Sequence, residues 1–432
     1  RACSSVRWSG PGIGSLWTSS ARPRASVMRS SRCRASREIA CCGSSSSSHQ
    51  CSATTPGAGV VNVNGLITFT GLEPVDFASL ATFTLLLPGA NDVLTVASGT
   101  DAATGLLPTV VLGGTSNAIA IETAHLRNIG TTTINTTTVD GNDVITLNAA
   151  NGAAAAANLS NLIVNTGAGA TDVVNVNGAV TVTGDVTITT RTIAFGGGSL
   201  TAGAANLVTL TASDAITDSA AGTDVTATSL VASAANGISL DTNVVNVTAT
   251  NTTAGGIDLS EVDALNVISI SAAGQTVTLA AGGAITAGGV TEITATTLAV
   301  SASGGIALDT AIANLTASNT TSGAIVISDV DGLTVTAGGV TNTGGDITLT
   351  TADNGATDDL VVNGVVNATG AVTLNAGDNA SITANLVATT SVTVNVDAAD
   401  NDAAGGIFSL VLPAMITAPT GASLNGNADN DT

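Results

Sequence analysis

One stretch of this chain occurs twice. Residues 233–267 read SAANGISLDTNVVNVTATNTTAGGIDLSEVDALNV, and residues 301–335 read SASGGIALDTAIANLTASNTTSGAIVISDVDGLTV. The offset is 68, and 20 of the 35 aligned positions are identical without a gap. Such self-similarity marks an array of repeated units, which sets what the chain can fold into before any local assignment is made. Inside the unit a shorter motif recurs, a Gly-containing turn followed by two apolar residues separated by one. It appears at Val186/Ile188, Val208/Leu210, Ile238/Leu240, Ile257/Leu259, Val277/Leu279, Ile306/Leu308, Ile325/Ile327, Ile347/Leu349 and Val372/Leu374. From Val186 to Val372 this is 186 residues in eight steps, a mean of about 23 per step.

Residues i and i+2 of a strand share a face, so each pair sends two aliphatic side chains the same way. A lone strand cannot bury that face. Burying one aliphatic side chain is worth roughly 1.5–3 kcal/mol, while ordering each residue costs roughly 1–2 kcal/mol of backbone entropy. One rung therefore breaks even at best, and a stack becomes stable as each rung covers the next. The expected fold is all-β, a right-handed parallel β-helix (β-solenoid) with rungs of about 20–25 residues. Composition agrees: aromatics are 2%, Tyr and Lys are absent, and Gly numbers 49. A β-sandwich normally builds its core on large aromatic side chains, whereas Val, Thr and Ile suit pleated stacking.

Four segments are predicted. Residues 1–54 hold all five Cys (Cys3, Cys33, Cys41, Cys42, Cys51), both Trp and eight of the ten Arg. That segment reads as disordered, or as a reading-frame artefact; His49 beside Cys51 is a weak metal hint only. Residues 55–165 form an irregular β-repeat region, 166–412 the regular solenoid, and 413–432 a frayed C-terminal edge. The segment GVVNVNGLITFTG (59–71) returns at 172–184 and more loosely at 359–370. It predicts strand–turn–strand units in which Gly65, Gly178 and Gly364 take positive φ. The run NGAAAAANLSNL (151–162) is compatible with a short helix or a loop.

From residue 53 onward 30 acids face only Arg127 and Arg191, so this part carries −28. Nucleic acid is excluded as a partner, because phosphate recognition needs clustered basic residues. No run reaches the roughly 20 apolar residues of a membrane helix.

The Gly-Ile-x-Leu rungs, the NGxVxxTG turns and the Ala/Thr/Asn/Gly/Val composition resemble large repetitive bacterial surface proteins, the filamentous-haemagglutinin-like and autotransporter-passenger β-helices. The resemblance spans most of residues 55–410. It implies an extracellular protein, at the bacterial cell surface or outer-membrane associated, in a structural or adhesive role. Its partner would be a surface ligand, a host or matrix polysaccharide or protein. The chain departs from complete members in showing neither an N-terminal secretion domain nor C-terminal barrel strands.

Other chemistries compete. Lyase chemistry needs a strong base, for which Arg127 and Arg191 are the candidates. Glycoside hydrolysis needs two facing carboxyls; Asp241/Asp309, Asp263/Asp331 and Glu261/Asp329 are repeat-equivalent acids, and acids that recur with the rung usually form turns. A non-enzymatic role is expected. Glu122, His125 and Arg127 lie together in IETAHLRN, with His125 and Arg127 predicted on one strand face in a solvated cluster. GANDVLTV (89–96), GNDVITL (141–147) and ATDDLVV (356–362) put acids at turns before strands. Asp92, Asp143, Asp358 and Asp359 are therefore weak Ca²⁺ candidates. Thr226/Thr228, Thr248/Thr250 and Thr294/Thr296 recur near rung spacing and suggest an ice-binding row, with Ile268 and Thr316/Ser318 interrupting it.

Overall fold

In strands of this chain Val, Ile and Leu alternate with Thr, Ser and Asn, so one face goes inward and the other meets water. The computed structural model describes residues 74–148, 159–287, 290–354, 358–398 and 406–426. It also gives the backbone of strands Ser4–Trp8, Glu38–Cys41, Ser48–Thr55, Ala58–Asn62, Leu66–Thr70 and Ala150–Asn151. The fold is nearly all β; among the described residues the only helix is the single 3₁₀ turn Thr137–Val139. Two compact units are present, residues 1–174 with 178–184, and residues 175–177 with 185–432. The change of pattern expected at 165 therefore falls within the first unit.

In the second unit strands pair in parallel with strands later in the chain, and matched residues lie from 17 positions (Val225 and Thr242) to 30 positions (Val392 and Ala422) apart. One buried ladder runs Ile238, Ile257, Val277, Leu298, Leu315, Val335, Val362 and Ile382. A second runs Leu265, Ile285, Ile306, Ile325, Ile347, Val372 and Val392. All fifteen residues are at most 2% exposed. The recurring pairs thus divide between ladders instead of forming one series, and the mean of 23 mixes them. Steps down the first ladder from Ile238 are 19, 20, 21 and 17 positions, so a shift of 68 falls between Leu298 and Leu315. The repeat is not a whole number of steps. Ile238 and its equivalent Ile306 consequently stand in different ladders.

What the repeat conserves is local. Asn251, 3% exposed, accepts from Gly237 N at 2.9 Å and donates to Ala254 O (2.8 Å) and Gly255 O (2.7 Å). Asn319, 0% exposed, does the same with Gly305 N, Ser322 O and Gly323 O. These turns need glycine: Gly323 has φ +87, and a Cβ there would lie 2.5 Å from Gly304 O.

The first unit stacks Leu85 on Ile134 on Val164, Phe77 on Leu126, and Leu94 on Ile145. Phe77 and Phe83 also pack together, ring centroids 5.0 Å apart. Strand Pro108–Ser116 interrupts the parallel order, lying antiparallel to Asp92–Thr100 and to Ala124–Arg127.

Several expectations change. Gly178 and Gly364 do not take positive φ. A Cβ at Gly364 would fall 1.8 Å from Thr336 O, so close backbone approach requires that glycine. Strands Leu360–Val362 and Val366–Ala368 do not form a hairpin; both lie along Leu333–Asn342. Leu159–Asn165 is a strand, which ends any helix before 159, and residues 152–158 lie outside the described residues. At the C-terminal edge, Ile416–Thr417 and Gly421–Asn425 add parallel strands to the array. In 1–54 the backbone strands above are described; the remainder of that segment, and with it the expectation of disorder, lies outside the described residues.

Candidate functional site

The acids of the turns are buried. Asp92 and Asp143 are 0% exposed, Asp172 1% and Asp358 2%. The carboxylates of Asp143 and Asp172 face the main chain of the preceding strand. Asp143 Oδ1 accepts from Asp92 N and Asp172 Oδ1 from Asp143 N, both at 2.8 Å. Thr136 Oγ1 donates to Asp143 Oδ2 at 2.5 Å. Burial pushes the Asp143 carboxyl up to about 6 against these hydrogen bonds, with the charges of Asp92 and Asp172 adding to the rise. At the head of the column, Asp92 meets no donor in good geometry among the described residues. Burial raises it too, and the nearby Ser116 hydroxyl pulls it partway back. In the second unit Asp358 N donates to Asp378 Oδ2 (2.8 Å), Asp358 Oδ2 accepts from Asn354 N (2.6 Å), and Asp359 Oδ1 accepts from Asn379 Nδ2 (2.7 Å).

Of the Ca²⁺ candidates, Asp143 and Asp358 accept from backbone amides and Asp359 accepts from the Asn379 side chain, while Asp92 meets no donor in good geometry among the described residues. In the Asp92, Asp143, Asp172 column the Asp one strand ahead satisfies an amide in the strand behind. Among the described residues no three His, Cys, Asp or Glu side chains come together to hold a metal ion. Millimolar CaCl₂ is expected to leave the melting temperature unchanged, within a degree or so, in differential scanning calorimetry; bound Ca²⁺ would raise it by mass action.

Repeat-equivalent acids keep equivalent bonds. Glu261 Oε2 accepts from Val244 N and Thr242 Oγ1, both at 2.9 Å; Asp329 Oδ2 accepts from Ile312 N (3.0 Å) and Thr310 Oγ1 (2.6 Å). Asp224 Oδ2 accepts from Asp241 N, and Glu292 Oε2 from Asp309 N. Burial raises Asp224 to about 7, with Asp218 and Asp241 adding to the rise, and raises Asp329 to about 6 and Glu261 likewise upward. Asp263 and Asp331 are exposed at the turns.

His125 and Arg127 share the outward face of strand Ala124–Arg127, and Glu122 is buried before the strand begins. The cluster is not solvated as expected. His125, with 13% of its side chain exposed, lines a cleft with Asp76, Asp101, Leu107, Thr109 and Arg127. Its Nδ1 is 2.6 Å from Thr100 O and 3.9 Å from Asp76 Oδ1. Both acids hold the loop over the cleft. Asp76 accepts from Ala102 N and Ala103 N; Asp101 accepts from Thr104 N, Leu106 N and Leu107 N. Burial would raise Asp101, but these amides and the Thr104 hydroxyl outweigh it and bring it down to about 2. Arg191 is paired with Asp214 at 2.7 Å.

An ordered polar surface lies on an outward face of the second unit. Thr187, Thr209, Val231, Thr248 and Ser269 stand in one column; Thr189, Thr211, Ser233, Thr250, Ser271 and Thr294 stand in the next. The expected row through Thr226, Thr248 and Thr294 does not form, since Thr226 is matched with Asn243. Nor does Ile268 break the row. A bulge between Val247 and Thr248 shifts the register, leaving Ile268 52% exposed and Ser269 in line. The sequence signal was Thr187-x-Thr189 and Thr209-x-Thr211 flanking the inward Ile188 and Leu210. A second set runs Thr348, Thr373, Thr393, Ser423 beside Thr350, Asn375, Asn395, Asn425. Its amides are linked, Asn395 Nδ2 to Asn375 Oδ1 and Asn425 Nδ2 to Asn395 Oδ1, each 2.7 Å.

Among the described residues no helix is long and apolar enough to cross a membrane. Comparison with family models, with curated proteins and with solved structures finds no match.

Proposed function

We propose that the chain is a right-handed parallel β-helix acting as a non-catalytic scaffold, exported to the cell surface or beyond, which adheres through an outward face. The observation that carries this reading is the pair of unbroken aliphatic ladders with hydroxyl columns at a fixed strand spacing. A stack of that kind presents rows of donors and acceptors about 4.7–4.9 Å apart between strands and about 6.5–7 Å along them. Such a grid matches an extended, repetitive polar surface better than it matches a single small molecule. The acids support the same reading, because the buried carboxyls of Asp143, Asp172, Asp224, Glu261, Glu292 and Asp329 each accept from a backbone amide.

The ligand class we favour is a matrix or cell-wall polysaccharide. Purified protein is expected to be retained on insoluble polysaccharide, and Thr211→Glu with Thr250→Glu is expected to cut retention at least tenfold with unchanged circular dichroism. Retention that ignores the double substitution would reject the face; no retention on any polysaccharide tried would reject the ligand. The same columns favour one second reading, ice. Thermal hysteresis at micromolar protein, abolished by the same substitutions, would select it.

A further inference from the structure

Under the loop of residues 101–107 the first unit carries a cleft laid out by strand Ala124–Arg127. Strand Val75–Ala78 runs parallel on one side, matching His125 with Asp76 and Arg127 with Ala78, and Pro108–Ser116 lies antiparallel on the other. Ala78 offers only a methyl beside Arg127, and Asp101, Leu107 and Thr109 complete the lining. The space is about 340 Å³ counting its open mouth, room for the edge of one small ring and not for an oligosaccharide.

The polar groups in this cleft are unequally committed. Asp76 and Asp101 hold the loop through its backbone amides. His125 Nδ1 is 2.6 Å from Thr100 O; a carbonyl only accepts, so Nδ1 carries the proton and Nε2 of the neutral ring is an acceptor. Arg127 and Thr109 are different. From residue 53 onward 30 acids face two arginines; Arg191 is paired with Asp214, whereas the half-buried Arg127 makes no ion pair among the described residues. Thr109 is 3% exposed, and its hydroxyl has no hydrogen-bond partner among the described residues. Buried hydroxyls are ordinarily bonded, so this one marks a place for a polar atom from outside the chain.

Charge narrows what that ligand is. An anion entering the cleft meets the carboxylates of Asp76 and Asp101, and a cation meets Arg127. A neutral polyol suits both, because each hydroxyl donates and accepts. Adjacent oxygens on a ring match the fork of guanidinium N–H groups, and each Asp76 oxygen, bonded to one amide, has a lone pair left for a hydroxyl. Leu107, 41% exposed, supplies an apolar contact for ring C–H groups. We propose that the cleft is a second binding site, which takes one neutral sugar ring edge-on. Arg127 donates to two adjacent ring oxygens, Asp76 accepts from a ring hydroxyl, and the Thr109 hydroxyl gains its partner. The hydroxyl columns belong to the second unit, so this proposal and the reading of that face fail separately.

Saturation-transfer NMR of the full chain tests it, with the methyl glycosides of glucose, galactose and mannose as probes and galacturonate beside them. The expected result is millimolar binding of a neutral glycoside. Arg127→Met and Thr109→Val should each weaken it at least tenfold with unchanged circular dichroism. Absence of binding by all three glycosides overturns the proposal. So does binding of galacturonate alone, which would mark an anion site, or a glycoside affinity that both substitutions leave as it was.

Discussion

Acidifying the solution from about pH 8 to about pH 5 is expected to stabilise this protein, the reverse of what an acidic chain held by ion pairs would show. The cause is the buried carboxyls. Asp143 and Asp329 titrate at about 6 and Asp224 at about 7, all above their ordinary value of 3.8. Between the unfolded and folded values the native state holds more protons than the unfolded chain, so stability falls as pH rises through that window. Below the unfolded value this contribution is complete; above the folded value it is gone. Asp101 has the opposite sign, since its value near 2 adds stability that is lost only in stronger acid. Each tenfold difference in proton affinity between the folded and unfolded chain corresponds to about 1.4 kcal/mol. Several such groups together amount to roughly a few kcal/mol and a melting-temperature change of about 5–10 °C. Relief of charge repulsion acts in the same direction. Asp224→Asn keeps an oxygen for Asp241 N and removes the charge; its melting temperature should match wild type at pH 5 and exceed it at pH 8. A wild-type Tm that rises with pH over this range would reject the account of the buried acids.

Replacing Asn319 by Ala is expected to cost about 3–5 kcal/mol, since each buried polar group left without a partner costs roughly 1–3 kcal/mol. Asn319 is 0% exposed, accepts from Gly305 N at 3.0 Å, and donates to Ser322 O, Gly323 O and Asn342 Oδ1 at 2.9–3.0 Å. The methyl of Ala answers none of these. Asn251 holds the same turn one repeat earlier, so Asn251→Ala should cost a similar amount. Guanidinium unfolding of the two variants measures both. A loss below about 1 kcal/mol at both positions would mean that water replaces the side chain there.

The pattern of apolar pairs announced which residues go inside, and every pair from Val186/Ile188 to Val372/Leu374 is buried. The recurrence of Asp and Glu with the repeat announced a recurring backbone hydrogen bond, as the matched bonds of Glu261 and Asp329 illustrate. Less accessible was the register. Two copies of a repeat look equivalent in sequence, yet Ile238 and Ile306 enter different ladders, because step length is set by how many residues each corner consumes. The hydroxyl face was missed for the same reason. Thr226 and Thr248 look one rung apart, but the 17-residue step from Val225 to Thr242 moves Thr226 beside Asn243.

By itself the sequence determined the β character, the inward and outward faces and the preference for stacking, because alternation and turn chemistry act over a few residues. Which strand lies on which was decided by the tertiary structure. Corner length, bulges and buried amide bonds fix the register, and these join residues 17 to 30 positions apart in the second unit. Hence the fate of the acids, committed to backbone amides within the stack, became visible only once neighbouring strands were in place.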